Sequence, residues 1–480
     1  MTSKFRALFD VQDMTTGSPM RNIVQFSVPL LIGNLAQQLY STVDSIVVGR
    51  YVGDTALAAV GASGPVINLL IVLFVGISTG AGIMVSQYFG AKQKEHLSTT
   101  VGNCVTLTLI SALIIMVLGA LITRPLMSLL HTPAEIYDMA CDYMTIIFVG
   151  ILGSAYYNIF SGILRGLGDS VTPLAFLLFS TLLNVALDLL FILSFGWGVA
   201  GAAIATVLAQ LLSTIACFIY AFAHYPQLRL SRQDFALTRS DICQHIIQGI
   251  PLGLQFSVLA IGIIIMQSVV VQFDMVDGLL VSSAAQNGYG AANKLFCLIS
   301  TPLNALGVSM TSFTAQNLGA GNYKRIRQGT LQALIMLLIV GVLSATIGLL
   351  LSINGLYLRV FLSADKVTPE TIRYGNTLVY VDFGLFLLVG FIYIIRNCIQ
   401  GIERPQYVLC AGAGELIARI TVCLLLPAAV AGGKVDANAR PLAFYALCAA
   451  DPAAWIASDL VLCIPFFRHI LRQDYRYLIK

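Results

Sequence analysis

Residues 22–53 read NIVQFSVPLLIGNLAQQLYSTVDSIVVGRYVG, an apolar run with a proline, Pro29, near its start and one carboxylate, Asp44, near its end. Wound as an α-helix, residues 22–49 would cover ~42 Å at 1.5 Å per residue, more than the ~30 Å hydrocarbon core of a bilayer. Such a helix tilts, bends or protrudes. Pro29 lacks a backbone donor and crowds the preceding turn, so a bend there has a cause. An aspartate near the centre of a spanning helix costs ~2.5–3.5 kcal/mol, which turns it toward a cavity or a partner and away from lipid. Asp44 therefore reads either as an ion or proton site beside a bendable helix, or as a carboxylate near the far interface that stays wet.

The rest of the chain is of the same kind. Of its 480 residues 58% are apolar and only 10% charged, with a mean hydropathy of +0.85. Soluble domains carry about 25% charged residues, so this is an integral membrane protein with little chain outside the bilayer. A net charge of +4 is too small to suggest nucleic acid. The ten cysteines are scattered through apolar segments without a CxxC spacing and read as small core residues. His96, His131, His224, His245 and His469 sit at segment edges and form no cluster. Residues 1–20 are polar and mixed, so a short tail, not a cleaved leader, is expected there.

Hydropathy and helix breakers divide the chain into twelve long segments, near 22–51, 56–88, 98–122, 134–164, 172–194, 200–224, 242–273, 280–315, 328–352, 370–400, 406–431 and 442–467. With the N-terminus inside, 17 of the 27 Lys and Arg fall in inside pieces and seven outside. Lys294, Arg396 and Arg419 lie within spans. The bias supports twelve helices with both termini cytoplasmic, in the cytoplasmic (inner) membrane.

The chain also repeats itself. Pro29 precedes Pro251 by 222 residues; Gln87-x-x-Gly90-Ala91 returns 229 residues later as Gln316-x-x-Gly319-Ala320, and Gly166 returns 235 later as Gly401. Six is an even number, so two six-helix halves enter the membrane in the same direction and relate by an axis along its normal. The organisation expected is a tail (1–21), an N-lobe (22–224), a polar basic linker (225–241), a C-lobe (242–467) and a second tail (468–480). The fold class is an all-α polytopic membrane protein of twelve helices in two parallel six-helix repeats, an architecture that transporters use with a substrate site between the halves.

VDSIVVGRYVG and ALAAVGASGPV in the first two spans, VSQYFGAK, GILRGLGDSVTP, AQNLGAGN (315–322) and GELIAR (414–419) together resemble the multidrug and toxic compound extrusion (MATE) family, most closely its bacterial DinF-like branch. The resemblance implies two six-helix bundles in a V around a central cavity. It also implies export of bulky, often cationic organic compounds in exchange for H⁺ or Na⁺, with no cofactor and no enzymatic activity.

The fifth span carries Asn184 and Asp188, whose i,i+4 spacing puts both on one face. Asp44 and Asp188 each lie six to eight residues before the outer end of their spans. Two nearby carboxylates do not both ionise cheaply, so a proton or a sodium ion is taken up. In the family, an Asp of the first helix and an Asn-x-x-x-Asp pair of the fifth form such a site, and Asp44, Asn184 and Asp188 match it. Pro29 matches the helix-one proline near which that helix is thought to bend. Asn158 and Gln255 are candidates for cavity-lining amides; for Asn184 and Asn158 inter-helix hydrogen bonding is the plainer role. The second half departs from the family's NorM-type branch, which places a Glu where Gln255 stands. It holds instead Glu415 and Arg419, again i,i+4, with Lys294 and Arg396 in other spans. These four are expected to form an internal salt-bridge network, with a second substrate-reading site as the alternative. Asp382, Asp451 and Asp459 lie near span ends and are expected to be wet or capping. Tyr40, Phe148, Tyr156, Tyr157, Phe256 and Phe296 line a drug cavity or pack.

The reading is a monomeric secondary-active antiporter for small organic molecules in a lipid membrane. A lipid-linked oligosaccharide flippase of the related superfamily is the competitor, and would call for a cationic cavity. A lipid-modifying enzyme would need catalytic loops, and a channel a filter-like loop or charged ring; the short loops show neither.

Overall fold

The computed structural model describes residues 11–51, 54–129, 132–228 and 230–473; the side chains of residues 39–51 and of a few single positions, Phe256 among them, lie outside that description. Its helices are α1 (Pro19–Tyr51), α2 (Asp54–Gly90), α3 (Lys94–Leu129), α4 (Ala134–Val149), α5 (Ile151–Gly166), α6 (Val171–Asp188), α7 (Gly198–His224) and α8 (Arg239–Gln272). They continue as α9 (Ala284–Gly319), α10 (Tyr323–Ser352), α11 (Leu358–Phe361), α12 (Pro369–Gly384), α13 (Phe386–Gly401), α14 (Pro405–Ala431), α15 (Pro441–Cys448) and α16 (Ala450–Pro465). Among the described residues eight helical stretches are long and apolar enough to cross a membrane singly. Two more spans are bent pairs, α4 with α5 at 49° and α12 with α13 at 54°. With α1 and α2, all twelve segments read from the sequence fall on helices.

The two bends fall at corresponding places of the repeat. Gly150, where α4 breaks, and Leu385, where α12 breaks, are separated by the same 235 residues as Gly166 and Gly401. The turns that end the helices repeat as well. Lys92 (φ 58°) corresponds to Gly321 (φ 70°) at the 229 offset, and Gly168 (φ 92°) to Glu403 (φ 58°) at the 235 offset. Positive φ is uncommon outside glycine, so Lys92 and Glu403 keep a backbone shape that their own side chains disfavour. The repetition is thus written in the backbone beyond the residues that disclosed it.

The chain packs as two units. The first comprises Met1–Gly17, Gln25–Leu254 and Ala315–Asn322, the second Ser18–Val24, Gln255–Thr314 and Tyr323–Lys480. In this division α8 and α9 each contribute residues to both units. The first half of α8 packs within the first unit, where Gly249 and Gly253 approach α2 at Gly80 and Gly76 so closely that a Cβ on Gly76 would lie 2.3 Å from Gly253 backbone. The core of that unit includes Val85, Val101, Phe160, Ile163 and Leu164. In the second unit Phe296 stacks on Trp455 at 5.8 Å and meets Phe386 edge-on.

Two local features depart from the sequence reading. Residues 11–18 do not run as a free tail, since Met14 is fully buried and α1 already begins at Pro19. Between α8 and α9 a small hairpin pairs β1 (Met275–Val276) with β2 (Leu279–Leu280). Its turn is Asp277-Gly278, both at positive φ, the pair that a two-residue hairpin loop favours.

Candidate functional site

Helix α6 starts where Asp169 accepts hydrogen bonds from the backbone N–H of Val171 (2.9 Å) and Thr172 (3.0 Å). Its large apolar side chains point outward, Leu182 at 71% and Phe179 at 46% exposure, as a lipid-facing surface requires. The buried residues of α6 are Thr172, Pro173, Asn184 and Asp188. A helix with its hydrocarbon outside and its amide and carboxylate inside is built for an interior polar site, not for a core. Asn184 Nδ2 donates to Thr206 Oγ1 of α7 at 3.3 Å, and Thr206 Oγ1 donates back to Ala202 O at 3.0 Å. Asp188 is fully buried and is the last residue of α6; the chain then winds into a π-helical turn, residues Leu189–Ser194. π-Turns inside spans recur at functional sites, because they re-aim the side chains beside them.

The side chain of Asp44 lies outside the described residues, but its place on α1 does not. Helix α1 meets α6 at Gly33, where a Cβ would lie 3.3 Å from Leu174 and 3.8 Å from Leu177. Gly33 precedes Asp44 by eleven residues on α1, and Asp188 lies fourteen residues after Leu174 and eleven after Leu177 on α6. Oxygens from Asp, Asn and Thr suit a proton or a hard cation. Helix α1 continues through buried Pro29 without interruption. Thr206 went unnoticed in the sequence, because a threonine in an apolar span carries no spacing signal.

Asn158 does not reach this group. Its Nδ2 donates to Ser154 O at 2.8 Å on its own helix, and its carbonyl accepts from Ser78 Oγ. The aromatic candidates mostly pack. Phe148 is 2% exposed, Tyr156 donates to Val105 O (3.0 Å), Tyr157 donates to Pro173 O (3.0 Å) and Phe296 lies on Trp455. Tyr40 and Phe256 lie outside the described side chains.

The second unit holds a buried charge network. Arg396 of α13 donates through Nη2 to Glu415 Oε2 (2.7 Å) and Ser458 Oγ (3.0 Å). Arg419 meets Glu415 Oε1 at 3.4 Å and pairs with Asp451. On α8 the absence of a side chain at Gly262 makes room for Arg419, since a Cβ there would lie 2.9 Å from its Cδ. Gln255, fully buried, accepts from Gln400 Nε2 at 3.5 Å and packs against Gly412, one turn before Glu415. Lys294 is not in the network; it is exposed on α9 and makes no ion pair among the described residues.

The three remaining aspartates correct the sequence reading. Asp382 is 4% exposed, Asp451 is 9% exposed and ion-paired, and Asp459 is only partly exposed. They were expected at wet span ends. Instead Asp382 stands three residues before the break at Leu385 and Asp451 two residues after the break at Ala449, so both lie beside breaks in the tenth and twelfth spans.

Comparison with known proteins agrees with this architecture. The chain is 28% identical over 388 residues to the probable multidrug resistance protein YoeA of Bacillus subtilis (strain 168), covering 80% of this chain and 81% of that one. It is 30% identical over 318 residues to the probable multidrug resistance protein YpnP of the same organism, covering 65% and 68%. Its fold superposes, with a TM-score of 0.83 at 20% identity and coverage of 96% and 98%, on a multidrug resistance MATE family transporter of the MOP superfamily in an outward-facing conformation. The MatE family profile matches residues 29–190 and 260–425, most of both halves. The chain therefore belongs to the MatE family, whose members are multi-pass membrane transporters of small molecules and not enzymes.

Proposed function

We propose that the protein exports bulky, often cationic organic compounds in exchange for H⁺ or Na⁺, as a monomer in the cytoplasmic membrane with both termini inside. Ion uptake at Asp44, Asn184 and Asp188 neutralises the N-terminal half, alters α1 near Pro29 and releases the cargo. The observation that supports this reading is the buried polar face of α6, where Asn184 and Asp188 lie at the start of a π-helical turn. A ligand moves a two-state equilibrium only by its differential affinity for the two states, so ion and cargo must compete for a shared or coupled pocket.

The flippase alternative asks for guanidinium or ammonium groups available to a pyrophosphate. Arg396 and Arg419, the two arginines within spans of the second unit, both already face carboxylates, and Lys294 is the basic residue of that set with no ion pair among the described residues. The network reads as the element that keeps α13, α14 and α16 together.

The test is efflux of ethidium from inverted vesicles under proton and sodium gradients imposed separately. Wild type is expected to respond to one of the two, and Asp188→Asn to lose at least tenfold of the driven rate while still inserting. A driven rate in Asp188→Asn equal to wild type would overturn the assignment.

A further inference from the structure

The segment before α1 is tied into the first unit at both of its faces. Gln12 donates its backbone N–H to Gly168 O at 3.0 Å. Met14 is fully buried, donates its N–H to Gln316 Oε1 (3.0 Å), and accepts at its carbonyl from Asn317 Nδ2 (3.0 Å). Gln316 also donates from Nε2 to Gly166 O at 3.1 Å, so one side chain joins the strand of residues 12–14, the end of α5 and the end of α9. Thr15 N–H closes a turn on Asp13 Oδ1 at 2.8 Å, which directs the chain away from the dock.

The receiving surface is preformed. The turn after α5 is held by Asp169, which caps α6 and accepts from Tyr225 Oη. Gly168 sits at φ 92°, and a Cβ there would lie 2.2 Å from Gln12 O, so only glycine admits the segment. Beside it α2 and α9 cross end to end. A Cβ on Gly90 would meet Gln316 O at 2.0 Å, and one on Gly319 would meet Gln87 O at 2.0 Å, a reciprocal contact between the repeated Gln-x-x-Gly motifs. Residues 12–14 are thus fastened at that crossing through Gln316.

We propose that residues 12–16 are a built-in latch: docked, they lock the last turn of α9 to the ends of α2 and α5, and this end of the bundle opens only as they let go. The opening step rests on the alternating-access reading above; the docking does not. The chain after the latch, Ser18–Val24, belongs to the second unit, as does α9 up to Thr314.

Hydrogen–deuterium exchange of the full-length protein in lipid nanodiscs tests the latch without cargo or gradient, so its failure is separable from failure of the export reading. Two variants are compared with wild type: a chain lacking residues 2–16, and Met14→Ala, which keeps the backbone bonds and serves if the truncated chain does not insert. Loss of the latch is expected to speed exchange about tenfold at residues 315–322 and, through the crossing, at residues 87–92, with the other spans unchanged. Faster exchange confined to residues 11–17, or no change, would overturn the latch.

Discussion

Asp188 and Glu415 are both buried carboxylates, and their surroundings give them opposite roles. Glu415 stands between two guanidiniums, and its removal leaves Arg396 and Arg419 short of a countercharge inside the protein. Breaking a buried pair this way costs about 3–5 kcal/mol, so Glu415→Gln should lower the melting temperature strongly. Asp188 is buried one turn beyond Asn184, the amide that meets Thr206 of α7. Asp188→Asn keeps the size and burial of the side chain, so it should still insert while abolishing gradient-driven export. Both carboxylates were legible from the i,i+4 spacing of Asn184 with Asp188 and of Glu415 with Arg419. The partners were not: Asp451 lies 32 residues beyond Arg419, and no helical period reaches across a loop and a broken span. Thr206 was equally silent, as one hydroxyl among apolar neighbours.

The helices behave as their sequence periods require, and the departures come where a span is broken. Gly150 and Leu385 bend the fourth and tenth spans at corresponding points, and Asp451 lies beside the break at Ala449. Hydropathy alone sums over such breaks, which is why all twelve segments were visible and the placement of Asp382 and Asp451 was not. The Gln-x-x-Gly motifs were visible as a repeat, but their contact was not, because two sequence copies say nothing about touching. That contact makes a sharp prediction. Gly319→Ala puts a methyl 2.0 Å from the Gln87 carbonyl oxygen, a backbone atom that has no rotamer to escape into. Overpacking of this kind costs about 3 kcal/mol, so Gly319→Ala should melt well below wild type, whereas Gly321→Ala meets no atom and carries only the left-handed backbone penalty of about 1–2 kcal/mol, so it should be the milder change.

At the scale of the whole molecule, composition and the Lys and Arg bias carried most of the reading, and the doubled backbone features at 92 and 321 and at 168 and 403 support it independently. Orientation follows from that bias. A cysteine placed at Gln233 should react with a membrane-impermeant maleimide only from the cytoplasmic side, and one at Asn438 only from outside; the reverse pattern would invert the topology. The central claim is that cargo and coupling ion compete at Asp44, Asn184 and Asp188. It is tested most directly by the Kd of the purified protein for ethidium, measured from mildly acidic to mildly alkaline pH, with and without Na⁺. Proton uptake removes the charge that holds a cation, so the Kd of wild type should rise as pH falls, by up to about tenfold per pH unit, or rise with added Na⁺ if sodium is the coupling ion. The Kd of Asp44→Asn combined with Asp188→Asn should be flat in both. A wild-type Kd indifferent to pH and to Na⁺, or the same dependence in the double variant, would contradict the account.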